Sequence, residues 1–146
     1  MDCAFFPYGL KSKEFLIKRC LYLIEYLDNK CDKIIIACNT LSLLVLPLIC
    51  SFFPKVEGVF DTFRKEITFN SVVIGTKLTI ELVKLEYDVD VIDGTDLIYA
   101  IQNNNDYSKY IEYINKQVKN NDKIILACTH FLNIKDNFII KSIKNI

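Results

Sequence analysis

Asp32-Lys33-Ile34-Ile35-Ile36-Ala37-Cys38-Asn39-Thr40 is echoed further along the chain by Asp122-Lys123-Ile124-Ile125-Leu126-Ala127-Cys128-Thr129-His130, with six of nine positions identical. Each copy is a charged pair, a short apolar run, and a thiol followed by small or polar donors. An apolar run of that length, entered through a charge pair, predicts a strand buried on both faces. The thiol then stands at the strand's carboxyl end, where open parallel sheets bind their ligands. The echo predicts two related βα halves; two copies are too few for a solenoid.

Upstream of the first copy, Met1 to Lys11 is loop-like, with a turn at Phe6-Pro7-Tyr8-Gly9. Ser12 can cap a helix from Lys13 to about Asp28, with Glu14 in its first turn. Phe15, Leu16, Cys20, Leu23, Ile24 and Leu27 recur on one face of it. Downstream, Asn39 and Thr40 can cap a buried helix, Leu41 to Phe52, which Pro47 kinks or shortens. Val56 to Asp61 predicts a strand, Thr62 to Phe69 a connector or short helix with a domain boundary, and Ser71 to Gly75 another strand. A helix from Thr76 to Leu85, a strand Val89 to Ile92 and a helical turn Asp96 to Gln102 follow. After the loop Asn103-Asn104-Asn105, Asp106 caps a helix bearing Tyr107, Tyr110, Ile111, Ile114 and Val118 on one face. The second copy is strand 123–128, and a helix from Ile134 to Ile143 ends the pattern. Strands alternating with helices predict an α/β fold with a mostly parallel sheet.

The composition excludes several function classes. At 146 residues and 51% hydrophobic, the chain has about one domain's worth of core. Its 18 basic and 18 acidic residues cancel, so nothing points to nucleic acid. The apolar stretch Leu41 to Phe53, interrupted by Ser42, Pro47 and Ser51, is too short to span a bilayer. Met1-Asp2-Cys3 lacks the basic region of a secretory signal, so the expected location is the cytoplasm. The six cysteines, at 3, 20, 31, 38, 50 and 128, show no C-x-x-C spacing and are expected as reduced thiols. With one histidine, no metal site is expected; without a glycine-rich phosphate loop, no nucleotide cofactor.

A cysteine is usually a small, inert, buried hydrophobe, and Cys3, Cys20, Cys31 and Cys50 are read that way. Cys38 and Cys128 differ in three respects. Each is followed by residues able to begin a helix, whose N–H groups and dipole are expected to lower a thiol pKa. Each has donors beside it: Asn39 and Thr40, or Thr129 and His130. And the two copies match, as halves facing a common cleft would. Two thiols flanking one carbon suit proton removal on one face and return on the other, which is racemisation or epimerisation. The helix N-termini and small donors suit a substrate carboxylate. A lone histidine is more often structural, but two residues from such a thiol His130 can relay its proton. Taken singly, Tyr8 is a packing aromatic.

These residues resemble the glutamate racemases of the aspartate/glutamate racemase superfamily. The matching pieces are Pro7-Tyr8-Gly9 followed by Lys11-Ser12, then Ala37-Cys38-Asn39-Thr40, then Cys128-Thr129-His130 with Phe131 in an aromatic slot. Val56 to Phe60 resembles the strand leading out of the family's first half. Cys-Asn-Thr alone is a superfamily signal; its combination with Pro-Tyr-Gly and Cys-Thr-His is more specific, and the histidine favours glutamate over aspartate. The resemblance implies two pseudo-symmetric Rossmann-like (flavodoxin-like) halves, 1–62 and 63–146. It implies a cofactor-independent interconversion of L- and D-glutamate that supplies peptidoglycan synthesis. Cys38 and Cys128 would be the two bases, with His130 assisting. Tyr8, Gly9, Asn39, Thr40, Thr129 and His130 would contact substrate or support the thiols.

The sequence also departs from the family. No Asp-Ser-Gly strand precedes Pro7, only about one helix follows the second thiol motif, and Gln102 stands where the family tends to carry Glu. An incomplete first half with an exposed sheet edge is therefore expected. Two rivals follow: an inactive remnant that binds or dimerises, and a racemase for aspartate or another amino acid (or a related hydantoin racemase or decarboxylase). The bare apolar elements favour a homodimer over a monomer.

Overall fold

The computed structural model describes residue 5 and residues 8–119, 123–138 and 143–144. Cys3, Pro7 and Asp122 lie outside the described residues.

The first half opens with a 3-10 turn, Tyr8–Leu10, and helix α1, Lys13–Asp28. Ser12 is the N-cap, its Oγ accepting from the Phe15 amide at 3.2 Å, and Glu14 lies in the first turn. Leu16, Cys20 and Ile24 form the buried stripe of α1. Strand β1, Ile34–Ile36, leads into α2, Asn39–Ile49, and on to β2, Val56–Gly58, which pairs with β1 in parallel with Ile34 opposite Val56. Pro47 lies in α2, which ends two residues beyond it, three residues short of the expected Phe52; a proline cannot supply its own helical N–H bond. A short helix, α3 (Phe60–Arg64), starts inside the region expected as strand.

The second half runs β3 (Ser71–Gly75), α4 (Lys77–Glu86), β4 (Asp90–Asp93), α5 (Thr95–Gln102), α6 (Ser108–Gln117) and β5 (Lys123–Leu126). A 3-10 segment, Thr129–Asn137, and strand β6, Ile143–Lys144, complete it. Its sheet has order β4-β3-β5-β6 and is parallel throughout. The fold is thus α/β with two open parallel sheets, two-stranded in the first half and four-stranded in the second. The expected closing helix from Ile134 is instead a 3-10 segment that starts at Thr129. Phe131, Ile134 and Phe138 bury its inner side, and Ile143, expected as the end of that helix, begins strand β6.

Alternation in the strands decides what packs where. Val72, Ile74, Ile124 and Leu126 point to one face of the larger sheet, against α5, α6 and the 3-10 segment, with Phe131 at 0% exposure. Val73, Ile125 and Ala127 point to the other, where they share a core with Val83 of α4 and with Leu43 and Phe60 from the first half. The first half therefore roofs the second. Its own sheet is covered on one side only, where Ile34 and Ile36 pack with α1 and α2. On the other side Ile35 is 60% exposed, and Lys33 reaches Glu57 across open surface at 2.8 Å. The expectation of burial on both faces holds for β5 and fails for β1, because no element of the described structure lies over that face. Among the described residues no helix is long and apolar enough to cross a membrane.

Candidate active site

Both echoed thiols stand just past the carboxyl ends of parallel strands, Cys38 after β1 and Cys128 after β5. Cys38 is itself the N-cap of α2, with extended backbone (φ −109°, ψ 122°). Asn39 and Thr40, expected as caps, are instead in the first turn of that helix. The helix begins earlier than expected because the thiol occupies the half-in position, leaving the following amides free to face it. The amides of Thr40 and Leu41 and the Thr40 hydroxyl face the Cys38 sulfur and favour its thiolate, without completing a capping hydrogen bond.

Burial outweighs those donors. The Cys38 thiol lies above its ordinary pKa, chiefly from desolvation. Cys128 is pushed up to about 11 by the same cause, with the His130 amide pulling the other way. A further contribution to Cys128 is electrostatic repulsion from Cys38, so charge on one thiol opposes charge on the other. The expectation of lowered thiol pKa values is therefore corrected: the helix N-terminus acts as expected, but loss of water dominates.

His130 sits on the turn after Cys128. Its Nδ1 is 3.4 Å from the Cys128 Sγ, and its Nε2 is 2.9 Å from Oε1 of Gln102, at the end of α5. Burial lowers the imidazole pKa. Phe131 anchors this turn in the second core, and its amide bonds the Cys128 carbonyl at 3.1 Å. Thr129, by contrast, is exposed. The Tyr8–Leu10 turn, which includes Gly9, packs against α4, and Tyr8 is half-buried against the core cluster that also holds Cys38.

Two residues escaped the sequence reading. Thr76 and Thr79, at the start of α4, are buried, and their hydroxyls join Thr40 of α2: Thr40 to Thr79 at 2.6 Å, Thr76 to Thr79 at 2.9 Å, Thr40 to Thr76 at 3.4 Å. These three hydroxyls stitch the two halves together beside Cys38. The signal was legible as Gly75-Thr76 at a strand end opening a helix, the usual place for a ligand-facing turn. Asn39 is buried, and among the described residues its Oδ1 has no hydrogen-bond partner. Among the described residues no three His, Cys, Asp or Glu side chains gather as a metal site would need.

Comparison with known proteins gives the same direction. No family model matches the chain. The glutamate racemase of Borreliella burgdorferi is 29% identical over 147 aligned residues, 89% of this chain and 56% of that protein. The glutamate racemase of Pasteurella multocida is 31% identical over 92% of this chain and 59% of its own length. The crystal structure of glutamate racemase from Campylobacter jejuni superposes with a TM-score of 0.74 at 28% identity, covering 96% of this chain and 67% of that one. The chain thus spans less than two thirds of the curated relatives it matches. Over most of its own length, this chain is similar to glutamate racemases.

Proposed function

We propose that the chain carries the two-thiol centre of a glutamate racemase, interconverting L- and D-glutamate without a cofactor. The observation that supports this reading most is the pair of thiols at matching strand ends, each with donors beside it. Residues 1–62 and 63–146 would be its two halves. In one direction a Cys38 thiolate, favoured by the N-terminus of α2, takes the α-proton from one face of glutamate. The electron pair of the broken C–H bond passes into the adjacent carboxylate. The Cys128 thiol then gives its proton to the opposite face, and the reverse direction exchanges the roles. Tyr8, Gly9, Asn39, Thr40, Thr129 and His130 would hold the substrate or support the thiols, and Thr76 and Thr79 join that list. The setting would be cytoplasmic, the product D-glutamate for peptidoglycan, and the assembly a homodimer.

The test is exchange of the α-hydrogen of D- or L-glutamate in deuterated water, followed together with loss of optical activity. The intact protein exchanges and racemises, and Cys38→Ala or Cys128→Ala slows it by about 100-fold or more, the usual scale for losing an acid–base group. Absence of any exchange ends the enzymatic reading. Exchange surviving the double alanine variant ends the two-thiol mechanism, and faster turnover of aspartate ends the glutamate assignment. The open apolar face at Ile35 favours a second reading, a module without turnover that pairs with another chain. Concentration-dependent association in sedimentation, without exchange, would select it.

A further inference from the structure

The bond between Gln102 and His130 raises a question of proton placement that the two-thiol reading leaves open. A neutral thiol donates better than it accepts, so the 3.4 Å contact with Cys128 favours an Nδ1 that carries no proton. The proton of neutral His130 is then on Nε2, which needs an acceptor, and Gln102 Oε1 stands 2.9 Å away. If the proton moves from Sγ to Nδ1, giving thiolate and imidazolium, Nε2 still carries a proton and still needs that acceptor. One amide oxygen therefore serves both ends of the proton transfer. Gln102 is at the carboxyl end of α5 while His130 is on the turn after β5, so the bond ties two separate elements of the second half.

We propose that Gln102 is a positioning residue for the candidate Cys128–His130 pair, fixing the imidazole with its proton on Nε2 and Nδ1 open toward the Cys128 sulfur. This rests on the two-thiol reading for its purpose but not for its geometry. The side chain is uncharged, so it orients the ring without drawing the proton off sulfur. A carboxylate in its place would do so by stabilising imidazolium.

The chain has a single histidine, so its two ring nitrogens are unambiguous in a 15N-labelled sample. Nitrogen shifts are recorded for the wild type, Gln102→Met and Gln102→Glu across a pH series. Gln102 is exposed, so none of these changes disturbs a core. The wild type is expected to show one tautomer, with the proton on Nε2. Gln102→Met shifts the balance toward a mixture, and Gln102→Glu keeps the Nε2 proton while moving the histidine titration midpoint upward. Glutamate exchange by Gln102→Met falls by about fivefold, the scale of one neutral hydrogen bond. A tautomer balance unchanged between wild type and Gln102→Met overturns the proposal. The tautomer is read on the resting protein, so the two ideas fail separately. A balance that ignores Gln102 in an exchanging protein sinks this one alone; a responsive balance without exchange sinks only the racemase reading.

Discussion

Strands β1 and β5 are written in nearly the same residues and end in different surroundings. Ile35 and Ile125 hold the same place in the two copies, yet one is 60% exposed and the other fully buried. Ala37 is exposed while Ala127 is buried. Lys33 makes its ion pair on open surface, whereas Lys123 is mostly covered and bonds both the carboxylate and the carbonyl of Glu66. The difference lies in what the chain lays over each strand: Leu43 and Phe60 cover Ile125, and no described element covers Ile35. A local sequence can prescribe a strand; only the tertiary arrangement decides whether both its faces count.

The comparison breaks most readily at that matched pair. Ile125→Ala should cost about 2–5 kcal/mol of stability, the range for truncating a fully buried isoleucine. Ile35→Ala should stay within about 0.5 kcal/mol, as for an exposed position. Urea unfolding of both variants measures the gap. Equal losses would mean that the Ile35 face is covered in solution, by a second copy or by another chain, and concentration dependence of the Ile35→Ala loss would identify self-association.

Much of the fold was legible because the local signals are strong. Ser12 and Glu14 mark the start of α1, and Ser71 to Gly75 is read to the residue because an unbroken apolar run between polar turns admits one reading. What was not legible depended on partners distant in sequence. The exposure of Ile35 and the rise in thiol pKa both come from which elements surround a residue, and no local window contains that. Phe131 and Ile134 gave too short a pattern to separate a 3-10 segment from a helix beginning later. At the site, the residues flanking each thiol could be named from sequence, whereas the Thr40–Thr76–Thr79 seam required knowing that α2 lies beside α4. Gln102 was visible only as a departure from a family pattern; its bond to His130 needed coordinates.

A smaller effect separates the frames that hold the two thiols. Gly94 leads into α5, and a Cβ there would meet the Phe131 ring at 2.9 Å. Phe131 is fully buried and adjoins His130, so the ring has no room to withdraw without moving the Cys128 turn. Gly94→Ala should cost about 1–3 kcal/mol by overpacking. It should also disturb the His130 resonances while leaving those of Asn39 and Thr40 in place. Shifts spread equally over both thiol turns would show that the halves respond as one rigid unit.

The weakest contrast is in pH. Cys20, buried on α1, and Cys128 are both raised to about 11, chiefly by desolvation. An unfolded thiol titrates near roughly 8.5. Between those values the folded protein keeps protons that the unfolded chain has released, so stability must fall as pH rises through that window and be intact below it. Cys20→Ala removes the contribution of the first half and Cys128→Ala that of the second. Each should flatten part of the decline in urea midpoint between pH 8 and pH 11, and the double variant more than either. Cys38 adds to the shift of both thiols, so its ionisation couples the two halves, and the two effects should fall short of additive. Strict additivity of Cys38→Ala with Cys128→Ala would place those two sulfurs in separate environments and remove the electrostatic ground for a shared centre. A shortfall confined to variants retaining Cys38 would locate the coupling at that sulfur.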